Sequence, residues 1–98
     1  MKAFLLVFEP EVGTQQEVKA VVEQSKKVKT WRYDMPNSFY LISTSSAKEL
    51  AEDLRTSLPN GRFIVTGIDE YWGWNNSDTW YLLKHKKLKP KAETPKTL

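Results

Sequence analysis

The sequence predicts a small α+β domain whose elements run β-α-β-β-α-β. Three observations carry this order. Ala3–Phe8 and Ser38–Thr44 are apolar on both alternating faces, as strands in the middle of a sheet are. Thr14 with Glu17, and Ser46 with Glu49, stand at capping-box spacing ahead of helical patterns. Val28–Tyr33 carries Lys29 and Arg32 within a strand pattern, and such charges belong on an edge strand, where they discourage pairing with other sheets.

Taken in order, the first strand, Ala3–Phe8, is ended by Glu9-Pro10-Glu11-Val12-Gly13. The first helix follows Thr14 and ends near Lys26, with Val18, Val21 and Val22 on its buried face. The second strand, Val28–Tyr33, and the third, Ser38–Thr44, form a hairpin about the turn Asp34-Met35-Pro36-Asn37. A second helix follows Ser46, with Ala47, Leu50, Ala51, Leu54 and Leu58 as its apolar stripe, and Pro59-Asn60-Gly61 stops it. Arg62–Ile68 is the fourth strand. This is the split βαβ, or ferredoxin-like, order: an antiparallel sheet with two helices on one face, the first and third strands central and the other two at the edges. The second face is left to solvent or to a partner.

Beyond the fourth strand lies an aromatic extension, Tyr71-Trp72-Gly73-Trp74, and then a short helix from Thr79 to about His85, with Ser77 or Asp78 as its cap. The domain is drawn at residues 1–84. Residues 85–98 form a basic tail without periodicity, expected to be disordered. From Lys84 onward six lysines face one acid, a net +5, while nine basic and eleven acidic residues leave the body at −2. Basic ends bind polyanions, and they also serve simply to solubilise.

Several classes fall away. There is no cysteine, so disulfides and thiolate metal sites are excluded and an intracellular setting is favoured. The longest apolar run has six residues, against about 20 for a bilayer span, so no membrane association is expected and the localisation read is cytoplasmic. His85 is the sole histidine and sits in a lysine run, and the four glycines are scattered. Ser/His and Cys/His nucleophilic chemistry and a phosphate-cradling loop therefore lack their parts.

Three constellations remain. Lys26, Lys27, Lys29 and Arg32, interleaved with Trp31 and Tyr33 and joined by Lys84, Lys86 and Lys87, suit a nucleic-acid backbone with an aromatic stacked on a base. They equally suit an edge strand with protective charges and inward aromatics. Alternation puts Lys27, Lys29, Trp31 and Tyr33 on one face and Val28, Thr30 and Arg32 on the other. Tyr71, Trp72 and Trp74 form an interface cluster, or else fold back over their own sheet. Glu9 and Glu11 offer oxygen ligands to a hard cation such as Mg²⁺, or are surface acids that end a strand.

Val7-Phe8-Glu9-Pro10, Trp31-Arg32-Tyr33 ahead of Ser38-Phe39-Tyr40-Leu41-Ile42, and Tyr71-Trp72-Gly73-Trp74 ahead of Trp80 resemble the SinR-like small proteins. These are relatives of the CRISPR-associated spacer-acquisition subunit and of VapD-like ribonucleases. The resemblance covers residues 1–84 and leaves the tail unmatched. It implies a ferredoxin-like homodimer in which the segment after the fourth strand adds to the partner's sheet. In the nuclease relatives an aspartate at the end of the first strand faces its dimer mate across a metal. The matching position here is Glu9, followed at once by Pro10, a departure from that pattern in both residue and backbone.

The expectation is a homodimeric nucleic-acid-binding module without a cofactor, its polyanion DNA or RNA. Two alternatives stand beside it. One is a metal-dependent endonuclease using Glu9 across the dimer with Mg²⁺; the other is an accessory or inhibitor subunit that binds a protein partner.

Overall fold

The computed structural model describes residues 1–90. Four strands, β1 (Lys2–Phe8), β2 (Thr30–Arg32), β3 (Ser38–Ser43) and β4 (Phe63–Gly67), form one antiparallel sheet in the order β2-β3-β1-β4. The doubly apolar strands are central and the other two are edges, as their sequences require. Helices α1 (Gln15–Gln24) and α2 (Ala47–Ser57) are opened by the two expected capping boxes. In each, the Thr14 or Ser46 hydroxyl accepts from the third amide at 3.1 Å, and the glutamate carboxylate accepts the cap amide at 2.8 Å.

Register decides which side chains share a face. Phe4 pairs with Leu41, Leu6 with Phe39 and Val65, and Phe8 with Phe63. This inner face joins Val18 and Val22 of α1 and Leu50, Leu54 and Leu58 of α2 in the main core. Ser25 at the end of α1 donates to Asp53 of α2 at 2.6 Å, which ties the two helices. Gly61 turns the chain into β4 with φ +76°. A Cβ there would stand 2.7 Å from the backbone nitrogen of Val12, so only glycine fits.

Several sequence expectations change. Helix α1 stops at Gln24 rather than Lys26, and β2 is three residues rather than six, because 25–29 is a turn that returns the chain to Ile42. The second face of the sheet is not left wholly to solvent or a partner. A third helix, α3 (Ser77–His85), crosses it and packs Leu82 and Leu83 on Ala3, Tyr40 and Ile42. Its cap is Asn76, not Ser77 or Asp78. The Asn76 carboxamide oxygen accepts the amides of Asp78 and Thr79 at 3.1 and 3.2 Å. Helix α3 runs through His85 and closes on Lys86 in a left-handed conformation, so regular structure passes the 84/85 boundary. The rest of the expected tail, 91–98, lies outside the described residues.

A polar chain fastens α3 to the sheet. The fully buried Thr79 hydroxyl donates to Asp34 and accepts from Arg32 Nε at 2.8 Å. The Arg32 guanidinium also donates to Asn76 at 2.9 Å. Tyr40 donates to the other oxygen of Asp34 at 3.1 Å and accepts from Asn75 at 3.1 Å. Burial, then the Asp34 charge, pushes the Tyr40 phenol above its ordinary pKa, so it stays a donor. Removing a partner from such a buried network leaves polar atoms unsatisfied. Thr79→Val keeps the shape and deletes the hydroxyl. It is expected to lower stability by about 1–3 kcal/mol, read from the urea midpoint, and an unchanged midpoint would mean that the network does not hold α3.

Candidate nucleic-acid interface and aromatic cleft

The lysines of the turn before β2 are at the surface. Lys26, Lys27 and Lys29 are exposed, and no described carboxylate lies within ion-pair distance of any of them. The Ser43 hydroxyl donates to the Lys27 carbonyl at 2.6 Å, and Ser43 is the register partner of Lys2. Lys2 and Lys27 are thereby brought to one end of the sheet. Glu49 lies near enough to both to feel their charges. Its carboxyl is held below the ordinary range first by the Ser46 amide and hydroxyl, and further by the charges of Lys27 and Lys2.

Lys86 reaches the same end from the other side. It lines a recess with Lys2, Gly67 and Asp69, and its ammonium donates to the Leu83 carbonyl, helping to close α3. Lys84 and Lys87 are exposed. Lys2 was missed in the sequence reading; its signal was the register, since the first residue of β1 must sit opposite the last of β3.

The aromatics interleaved with the β2 lysines do not join them. Trp31 and Tyr33 stack at 6.1 Å, and both lean on Phe39, at 5.7 and 5.2 Å, in the main core. Lys19 of α1 covers the outer face of Trp31 at 5.8 Å. Arg32 points to the opposite side, into the network with Thr79 and Asn76. Of the candidate nucleic-acid set, Lys26, Lys27, Lys29, Lys84 and Lys87 are presented to solvent, while Trp31, Arg32 and the half-buried Lys86 are engaged within the fold.

The three residues of the expected interface cluster also divide. Tyr71 stacks on Trp80 of α3 with centroids 5.9 Å apart and planes 13° from parallel. Trp72 and Trp74, either side of Gly73, are 93% and 94% exposed. A Cβ on Gly73 would come within 3.8 Å of the Trp80 ring, so the loop rests directly against that indole. Two depressions result. A cleft of about 310 Å³ is lined by Tyr71, Trp72, Gly73, Trp80 and Lys84. On the side facing the sheet, a groove of about 380 Å³ takes in Trp74, Met35, Tyr40, Leu5 and Thr66.

Glu9 has a partner within its own chain. Its carboxylate accepts the Arg62 amide at 2.7 Å and pairs with the Arg62 guanidinium at 3.4 Å. Those Arg62 hydrogen bonds hold its pKa below the usual carboxylate range. Glu11 is exposed on the neighbouring 3-10 turn, Pro10–Val12. Among the described residues no three His, Cys, Asp or Glu side chains come together as a metal set. Mg²⁺ needs several oxygens, and the group beside Glu9 is a cation, so the residues of one chain do not fit the ion. His85 lies against Tyr81 at 4.2 Å.

The sign of the Glu9 contribution follows from its lowered pKa. The stability it lends is present above the ordinary carboxyl value of 4.5 and is lost as pH falls through the lower folded-state value. Glu9→Gln should therefore be less stable than the parent at neutral pH and converge with it in acid, measured as urea midpoints across that range. A gap that persists in acid would assign the loss to packing rather than to the ion pair. No family model matches this chain, and no curated protein or solved structure matches it either.

Proposed function

We propose that the chain is a ferredoxin-like, homodimeric nucleic-acid-binding domain that acts by binding rather than by catalysis. The observation that carries the binding reading is the convergence of Lys2, Lys27 and Lys86 on one end of the sheet. They come from three distant stretches of a chain whose body is net acidic. The exposed ammonium groups of Lys2 and Lys27 suit a phosphate backbone and release its counterions on contact, while that of Lys86 is held by the Leu83 carbonyl and adds fixed positive charge beside them. Glu49 and Asp69 sit among them and restrict the positive surface to that rim. The strand order β2-β3-β1-β4 with α1 and α2 on one face supports the ferredoxin-like reading, and so does the resemblance to the SinR-like proteins.

The dimer reading rests on the half of the outer sheet face that α3 leaves open. Val7 and Ile64 are register partners, and they are 41% and 60% exposed on the uncapped β4 side. An open edge strand beside an apolar strip invites pairing with another chain. The nuclease alternative would need Glu9 to exchange Arg62 for a metal shared across that dimer, and the Arg62 contacts stand against it.

Fluorescence anisotropy of the full chain with labelled single-stranded RNA and duplex DNA tests the binding. Affinity is expected to fall linearly on a log–log plot against salt. Lys27→Ala should reduce the magnitude of that slope by about 1. Binding that ignores salt, or that the substitution leaves unchanged, would remove the basic rim from the site. For the dimer, Ile64→Asp should convert a dimer into a monomer in sedimentation velocity; a parent that is monomeric at every concentration would end that part of the proposal.

A further inference from the structure

We infer that the cleft between Trp72 and the Tyr71–Trp80 stack receives an unpaired nucleobase, which makes single-stranded nucleic acid the substrate class; this rests on the nucleic-acid reading above. Trp72 is the point of departure. An indole 93% exposed gains nothing from the fold, and every other ring of the extension except Trp74 has a partner. The surrounding geometry gives it a use. Tyr71 and Trp80 are held 13° from parallel by their own stacking and by the attachment of α3 to the core, so one wall of the cleft is rigid. Gly73 contributes no side chain to the space. At about 310 Å³, the opening admits a flat ring between that wall and Trp72.

Charge selects among flat or apolar ligands. Lys84 lines the same cleft, and Lys87 is exposed three residues on. A protein-binding surface built around tryptophan is depleted in lysine at its centre. Stacking platforms for single strands combine aromatic faces with lysines that follow the phosphates. In a duplex the faces of the bases are covered by their neighbours, so the cleft distinguishes strands by whether a base is free to leave its stack. Base identity is not read, because every base offers a π-face. Trp74 lines the adjoining sheet groove with Met35 and Tyr40 but not this cleft, and serves as the internal control.

The test uses the full chain with a labelled oligothymidylate and a blunt duplex of the same length, followed by anisotropy and by quenching of tryptophan fluorescence. The parent should prefer the single strand and be quenched by it. Trp72→Ala should weaken single-strand binding about ten-fold, Trp72→Phe should restore most of the loss, and Lys84→Ala should lower the salt slope. Trp74→Ala should leave the affinity nearly unchanged. Because Trp72 is exposed, circular dichroism of the variants should match the parent. If neither ligand binds, the nucleic-acid reading itself fails and the inference falls with it. If both ligands bind equally and Trp72→Ala changes neither, the reading stands and the base site is overturned. If Trp72→Ala alters sedimentation while single-strand affinity holds, the indole belongs to a protein interface and the inference is likewise overturned.

Discussion

The fastening of α3 through Asp34, Thr79 and Arg32 is the interaction on which the rest of the surface depends. Arg32 and Asp34 flank the edge strand β2, and Thr79 sits one turn into a helix more than forty residues further on. Arg32 and Asp34 are half-buried, and a polar group taken from water is costly unless its donors and acceptors are filled. Here Thr79 lies between the two charges, Tyr40 takes the second oxygen of Asp34, and Asn76 takes the second arm of Arg32. No buried side-chain nitrogen or oxygen among the described residues lacks a partner. With its N-terminus fixed over Tyr40, α3 has one course across the sheet, and Leu82 and Leu83 fall on Ala3 and Ile42. The apolar burial, about 2 kcal/mol for each such side chain, holds the helix, while the polar chain decides where it lies.

That placement divides the outer face. On one side of α3 the sheet is closed by a small second core. On the other, Val7, Ile64 and Thr66 remain open, bordered by Trp74 and Met35. The loop from Ile68 to Asn75 lies between them, and with Tyr71 pinned to Trp80, Trp72 lines both depressions whereas Trp74 lines only the groove on the sheet side. The single aromatic cluster of the sequence thus walls two adjoining depressions that share Tyr71, Trp72, Gly73 and Trp80, one reaching Lys84 and the other the apolar strip.

Much of this was legible in the sequence where the signal was local. Both capping boxes, the two central strands and the glycine stop at Pro59-Asn60-Gly61 rest on contacts within a few residues, and all are present. Alternation held over the last residues of the segment, where Trp31 and Tyr33 share a face and Arg32 takes the other. It did not hold before β2, where the chain turns and Val28 packs on the same core as Trp31 instead of on the Arg32 side. Which face was buried could not be read, because lysines border the aromatics and the arginine borders threonine. The answer lies with Phe39 for Trp31 and with Thr79 for Arg32, both contacts made by folding. The course of α3 was hidden for the same reason. Its apolar residues signal packing against something, and nothing in their spacing says that the something is the back of its own sheet.

The two ends of the sheet are built differently, and the difference bears on where a polyanion can approach. At the end where β1 finishes, the main chain is sealed. Glu9 bonds the Arg62 amide, Gln15 accepts from Asn37 at 2.9 Å and donates to the Ser38 carbonyl, and Arg55 donates to the carbonyls of Leu58 and Gly61. At that end Arg55 is committed to backbone oxygens and Arg62, though largely exposed, is paired with Glu9. At the opposite end the cations are lysines, anchored by their backbones through Ser43 and the end of α3. Of these, only the Lys86 ammonium bonds a backbone carbonyl, while those of Lys2 and Lys27 have no ion-pair partner among the described residues. An arginine locked into a planar network is a structural element, whereas a hydrated ammonium on a flexible stem can follow a phosphate chain. The fold therefore pairs the arginines at one end with its own oxygens and leaves the ammonium groups of Lys2 and Lys27 exposed at the other, and that division gives the proposed binding surface its direction.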